Sequence, residues 1–132
     1  MVEIKDCSRE FSEVEQYLMT IAPSIISMKD VPDGTHITID GILTFEDIKE
    51  STGEIADILS VITPEKKVYS CQSSTFKRSL RDISNIMKGK PFTIVKTSGK
   101  TKAGRDFINC ELDVESLKYN INSVYFNRYT HF

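Results

Sequence analysis

The run THITIDGILTFEDI, Thr35 to Ile48, alternates apolar and polar residues and carries a glycine in its middle. Ile37 and Ile39 fall on one side of a pleated strand and His36, Thr38 and Asp40 on the other, the two-residue period of a strand with one face on a core. Gly41 interrupts the alternation, and a glycine inside a good strand marks a bulge or a sharp bend. The run predicts one long strand from Thr35 to about Ile48, coiled at Gly41. A sheet containing such a strand has to curl there.

The neighbouring segments supply the rest of that sheet. EIADILSVITP reads as a second strand, PEKK as a tight loop and KVYSCQS as a third strand, a hairpin whose β-branched content suits a pleated surface. The period then changes. SSTFKRSLRDISNIMKGK places Phe76, Leu80, Ile83 and Met87 at helical spacing, with Ser73 or Ser74 positioned as N-cap and Gly89 as the stop. PFTIVKT and RDFINCELD form a closing hairpin. Upstream, Ser12 and Glu15 have capping-box spacing while Phe11, Val14, Leu18 and Ile21 recur at helical intervals, which predicts an amphipathic helix from about Ser8 to Thr20.

This order, with a helix between strands three and four, is that of a five-stranded OB-fold barrel. At 132 residues the chain is long enough for one sizeable core. A single domain is expected, with an N-terminal helical extension over residues 1–34, the barrel over 35–113 and a tail over 114–132. The tail holds Tyr119, Tyr125, Phe126 and Tyr129, an aromatic patch that either packs back on the barrel or mediates self-association.

The net charge of −2 conceals an asymmetry: residues 1–60 hold 4 Lys and Arg against 13 Asp and Glu, whereas residues 61–132 hold 13 against 6. A polyanion meets one end of such a molecule, not its average. The basic end is sharpest between Lys88 and Arg105, where Lys88, Lys90, Lys96, Lys100, Lys102 and Arg105 stand without an acid among them. Lys88 and Lys90 flank Gly89 at a helix C-terminus, where cations offset the dipole. The other four lie in the stretch KTSGKTKAGRDF, which joins the last two strands.

Several function classes fall away. MVEIKDCSRE lacks the basic and apolar regions of a signal peptide, and no apolar run approaches the roughly 20 residues that span a bilayer, so a cytoplasmic protein without membrane contact is expected. Cys7, Cys71 and Cys110 are odd in number and show no C-x-x-C spacing, which indicates neither a disulfide framework nor a zinc site. His36 and His131 are isolated. GKTKAG lacks the phosphate-loop pattern and lies in a hairpin, and no carboxylate pair, Cys-His or Ser-His set suggests catalysis. The expectation is a binding protein without cofactor or metal.

Three stretches carry a resemblance: THITIDGILTFED as the bent strand, VYSCQSSTFKRSLRDI as strand three entering its helix through a serine pair, and FTIVKTSGKTKAGRDFINCELD as the closing hairpin. Over Thr35 to Asp113 the chain resembles small OB-fold single-stranded-DNA-binding proteins of the bacteriophage or mobile-element type. The resemblance implies sequence-independent binding of single-stranded DNA in replication or recombination, with replication proteins as further partners. Bacterial housekeeping members of this class end in an acidic recruiting tail, whereas this chain ends NRYTHF.

OB-folds grip oligonucleotides with strands two and three and with the loops joining strands one to two and four to five. KTSGKTKAGRDF is the second of those loops. Lys96, Lys100, Lys102 and Arg105 are the expected phosphate contacts, on a hairpin allowed to bend by Gly99 and Gly104. Phe107 alternates with Ile108, Cys110 and Leu112 and is expected to face out as a stacking platform, against the alternative of a core aromatic. Tyr69 either stacks a base or lifts its hydroxyl from the barrel edge. Two other readings remain open: an RNA-binding OB module, which the same groove chemistry permits, and a protein-interaction OB domain using the acidic helix and aromatic tail.

Overall fold

The computed structural model of the chain describes residues 1–115. The aromatics expected to form a tail, Tyr119, Tyr125, Phe126 and Tyr129, lie outside the described residues. The described chain is mainly β with two helices, its strands arranged in two sheets.

The long strand is present and divided. It runs as β3 (His36–Ile39) and β4 (Gly41–Ile48), separated only by Asp40. β3 pairs with β7 (Phe92–Lys100), which pairs with β8 (Asp106–Leu112), giving a three-stranded sheet. β4 pairs with β5 (Ile55–Ile62), and β5 with β6 (Val68–Cys71), in a second sheet. One strand thus serves both sheets by turning between Asp40 and Gly41. The glycine is required by a close approach, because a Cβ at Gly41 would stand 2.5 Å from the Phe11 ring.

The expected single five-stranded barrel is corrected in two respects. The N-terminal segment adds two strands: β1 (Val2–Cys7) pairs antiparallel with β4, and β2 (Ile26–Ser27) pairs parallel with β6, so the larger sheet has the order β1-β4-β5-β6-β2. Among the described residues β6 and β8 do not pair, and the two sheets do not close. A closed barrel needs that last ladder; here the β6 edge is taken by β2 instead.

The first helix is shorter than expected. α1 (Glu13–Thr20) has the expected capping box, Glu15 N–H donating to Ser12 Oγ and Ser12 N–H to Glu15 Oε1, each at 3.1 Å. It does not begin at Ser8 because Ser8 is held against β4, its N–H donating to the Ile42 carbonyl and its hydroxyl accepting from Ile42 N–H, both at 2.8 Å. Its expected stripe also turns out differently, since Val14 and Ile21 are exposed while Met19 is fully buried. Met19, Phe11, Leu43, Phe45, Ile62 and Val68 form a core on the outer face of the larger sheet, where the buried Ser60 hydroxyl donates to the Met19 carbonyl at 2.6 Å.

α2 (Ser74–Met87) follows β6 and precedes β7. Ser73 caps it by accepting from Phe76 N–H at 3.3 Å, and Lys88 and Gly89 close it with φ of +56° and +77°. Phe76 and Leu80 are fully buried, with Ile83 and Met87 packed beside them, as the helical spacing predicts. They complete the main core with Ile37 and Ile39 of β3, Leu59 and Val61 of β5, and Ile94 of β7.

Candidate nucleic-acid interface

Where the sheets fail to close, a groove of about 810 Å³ opens between the β2–β6 edge and the β7–β8 hairpin. One wall carries Ser70, Gln72 and the serine pair Ser73–Ser74; the other carries Ser98, Gly99, Phe107 and Ile108. The structure distributes the expected site residues unevenly around it.

Phe107 lies in the groove, half-buried, directly opposite Gly99 in the β7–β8 ladder. Its ring covers that glycine so closely that a Cβ at Gly99 would stand 2.7 Å from Phe107 Cζ. Gly99 is therefore a seat for the ring and not the bend the sequence suggested. The turn lies further on, where Thr101 N–H donates to the Arg105 carbonyl and Gly104 N–H to the Thr101 carbonyl, both at 2.9 Å, with Gly104 at φ +83°. The hairpin tip is thus held by its own hydrogen bonds.

Lys100, Lys102 and Arg105 are exposed on this tip. Lys100 stands 3.9 Å from the Asp106 carboxylate, while Lys102 and Arg105 have no ion-pair partner among the described residues.

Lys96 does not join them. It is 4% exposed, its ammonium donating to the Val31 carbonyl at 2.7 Å and pairing with Asp33 at 3.2 Å. Asp33 also accepts from the Ser98 hydroxyl, and that bond, followed by the Lys96 ammonium, holds its carboxyl below the usual range. The expectation of a free phosphate contact at Lys96 is corrected to a cation that ties the Val31–Asp33 loop to β7. Lys96→Met will lower stability by about 1–3 kcal/mol, the cost of a buried carbonyl left without its donor. Denaturant midpoints will report that loss, while the salt dependence of ligand binding stays as in the parent.

Tyr69 is likewise corrected from candidate platform to core. It is 7% exposed within the main cluster, with Lys67 Nζ 5.5 Å from its ring centroid. Lys29, which sequence reasoning missed, is exposed in a 3-10 turn (Met28–Asp30) after β2 and lines the groove. Its neighbourhood in the acidic half of the chain hid it.

The arrangement offers one accessible ring, a wall of hydroxyls and an amide, and cations at the rim beside the Asp106 carboxylate. Those groups suit a flexible polyanion with planar faces. Burial pushes the Cys71 thiol, which lines the groove, up to about 11 and the Cys110 thiol up to about 12. Among the described residues no group of His, Cys, Asp and Glu is placed to hold a metal, and no helix is long and apolar enough to cross a membrane. His36 stands on β3, its Nδ1 2.9 Å from Asp113 Oδ2.

A family model described as phage single-stranded DNA-binding protein matches residues 11–113, well over half of the chain. No curated protein and no solved structure matches it.

Proposed function

The chain belongs to the phage single-stranded DNA-binding protein family, and from that premise we propose that it coats single strands without reading their sequence during phage DNA replication in the host cytoplasm. The two sheets are read as an OB barrel left open between β6 and β8, with the strand lying in the opening. Support comes from the way β3 and β4 share one bent strand between the sheets.

The observation that carries the site assignment is Phe107 seated on Gly99 inside that groove. Bases stack on the ring, an interaction open to every base because each has a π-face. Lys100, Lys102, Arg105 and Lys29 follow the phosphates along the rim. The first turn of α2 reinforces them, since it carries no acid and Ser73, Ser74 and Thr75 line the groove; helix N-termini favour phosphate groups.

Fluorescence titration with labelled poly-dT, poly-U and duplex DNA at two salt concentrations tests this reading. Tightest binding to poly-dT, weakening as salt rises, is expected. Preference for poly-U would assign the groove to RNA, and no binding to any of the three at low salt would leave a protein-interaction domain.

A further inference from the structure

A second concavity, of about 690 Å³, lies between β1 and the C-terminal half of α2. Its α2 wall carries Arg81, Ser84, Asn85 and Lys88, and its β1 wall includes Lys5 and Asp6. Lys5 is engaged, 2.8 Å from Glu46 and 3.1 Å from Glu3. Arg81 and Lys88 are exposed and have no ion-pair partner among the described residues.

These two cations belong to a longer feature. At about 100° per residue, Ser74, Arg78, Arg81 and Asn85 fall on one face of α2, opposite the buried Phe76 and Leu80, and Lys88 follows as the helix C-cap. Ser74 lines the groove that holds Phe107, and Lys88 lines the second concavity. A rise of about 1.5 Å per residue puts them roughly 21 Å apart. Asp82, the one acid of the helix, lies off this face.

We propose that this stripe is a continuation of the single-strand path: a strand leaving the groove at the α2 N-terminus runs along Arg78 and Arg81 and lays its phosphates in the concavity beside Lys88. The occupant is a phosphodiester backbone because Arg81 and Lys88 outnumber the one unpaired acid of the lining, Asp6, whose Oδ1 accepts from Cys7 N–H, and no aromatic lines the concavity. Such contacts neutralise phosphate without stacking bases. The inference rests on the groove being the primary site, and it adds a second set of contacts that only a longer strand reaches.

The test is the double variant Arg81→Gln with Lys88→Asn, asparagine being tolerant of the left-handed conformation at residue 88. Its affinity is compared with the parent for a dT oligomer of about 6 nucleotides, near the low end of what one OB-fold covers, and for one of about 20. Melting temperature and circular dichroism check that α2 is intact. The expected result is unchanged binding of the short oligomer, severalfold weaker binding of the long one, and a salt slope for the long one flattened by about 1.4, from about 0.7 per lost phosphate contact. Unchanged affinity and slope for the long oligomer, or an equal loss for both lengths, would overturn the extended path while leaving the groove assignment standing. A parent protein that binds neither oligomer would overturn the groove assignment itself. If the substitutions disturb α2, Arg81→Lys with Lys88→Asn decides: with the charge kept at residue 81 the slope for the long oligomer must flatten by about 0.7 relative to the parent, and an unchanged slope overturns the path.

Discussion

Phe107→Ala will weaken poly-dT binding by about 1–3 kcal/mol, which is roughly 5- to 150-fold, while the melting temperature falls by only a few degrees. The size of the first effect follows from stacking, the interaction that an aromatic in a single-strand groove supplies. The second is small because the ring is only half-buried and rests on Gly99 at the groove surface. A fully buried ring such as Phe76 behaves differently, and its truncation costs about 3–5 kcal/mol of stability. Gly99→Ala provides an independent approach to the same ring, because its new methyl group would occupy space 2.7 Å from Phe107 Cζ and force the ring aside. It should reduce affinity in the same direction while leaving every charge in place. Titration of labelled poly-dT, with calorimetric melting of each variant, reads both quantities. A large drop in melting temperature with affinity retained among the folded molecules would make Phe107 a core residue.

Why the exposure of the Phe107 ring is legible in the sequence and the burial of Tyr69 is not has one structural cause. Alternation along a strand says which side a residue faces, but not what covers that side. On β8 the groove leaves the Phe107 side open. On β6 and β7 the N-terminal segment covers it: Met28 and Val31 are buried in the same cluster as Tyr69, and Val31 and Asp33 take up the Lys96 ammonium. In the sequence that segment reads as an extension to a barrel because its strands carry little local signal. β2 has only two residues, and its parallel pairing with β6 is a tertiary event. β1 is an edge strand with almost every residue exposed, so no hydrophobic period announces it. The same segment explains the open sheets, since β2 takes the β6 edge.

Features governed by local chemistry were readable. The bend at Gly41, the Ser73 cap and buried stripe of α2, and the Ser12–Glu15 capping box are written in residues close in sequence. The charge of the hairpin is equally plain, though only the structure separates Lys102 and Arg105, which have no ion-pair partner among the described residues, from Lys96, which is consumed inside the fold. The first pair is where the groove's function can be tested apart from its stability.

Lys102 and Arg105 sit at a tip whose turn is held by backbone groups and the Thr101 hydroxyl, none of which depends on their side chains. Replacing both with glutamine should leave melting unchanged, as surface substitutions of this kind usually stay within about 0.5 kcal/mol. If each side chain neutralises one phosphate, the slope of log K for poly-dT against log salt flattens by about 1.4, from about 0.7 per contact on a single strand, and affinity at low salt falls severalfold or more. A double variant that binds poly-dT with the parent's affinity and the parent's salt slope would mean that the hairpin is a solvated turn and that the groove beneath it does not hold the strand.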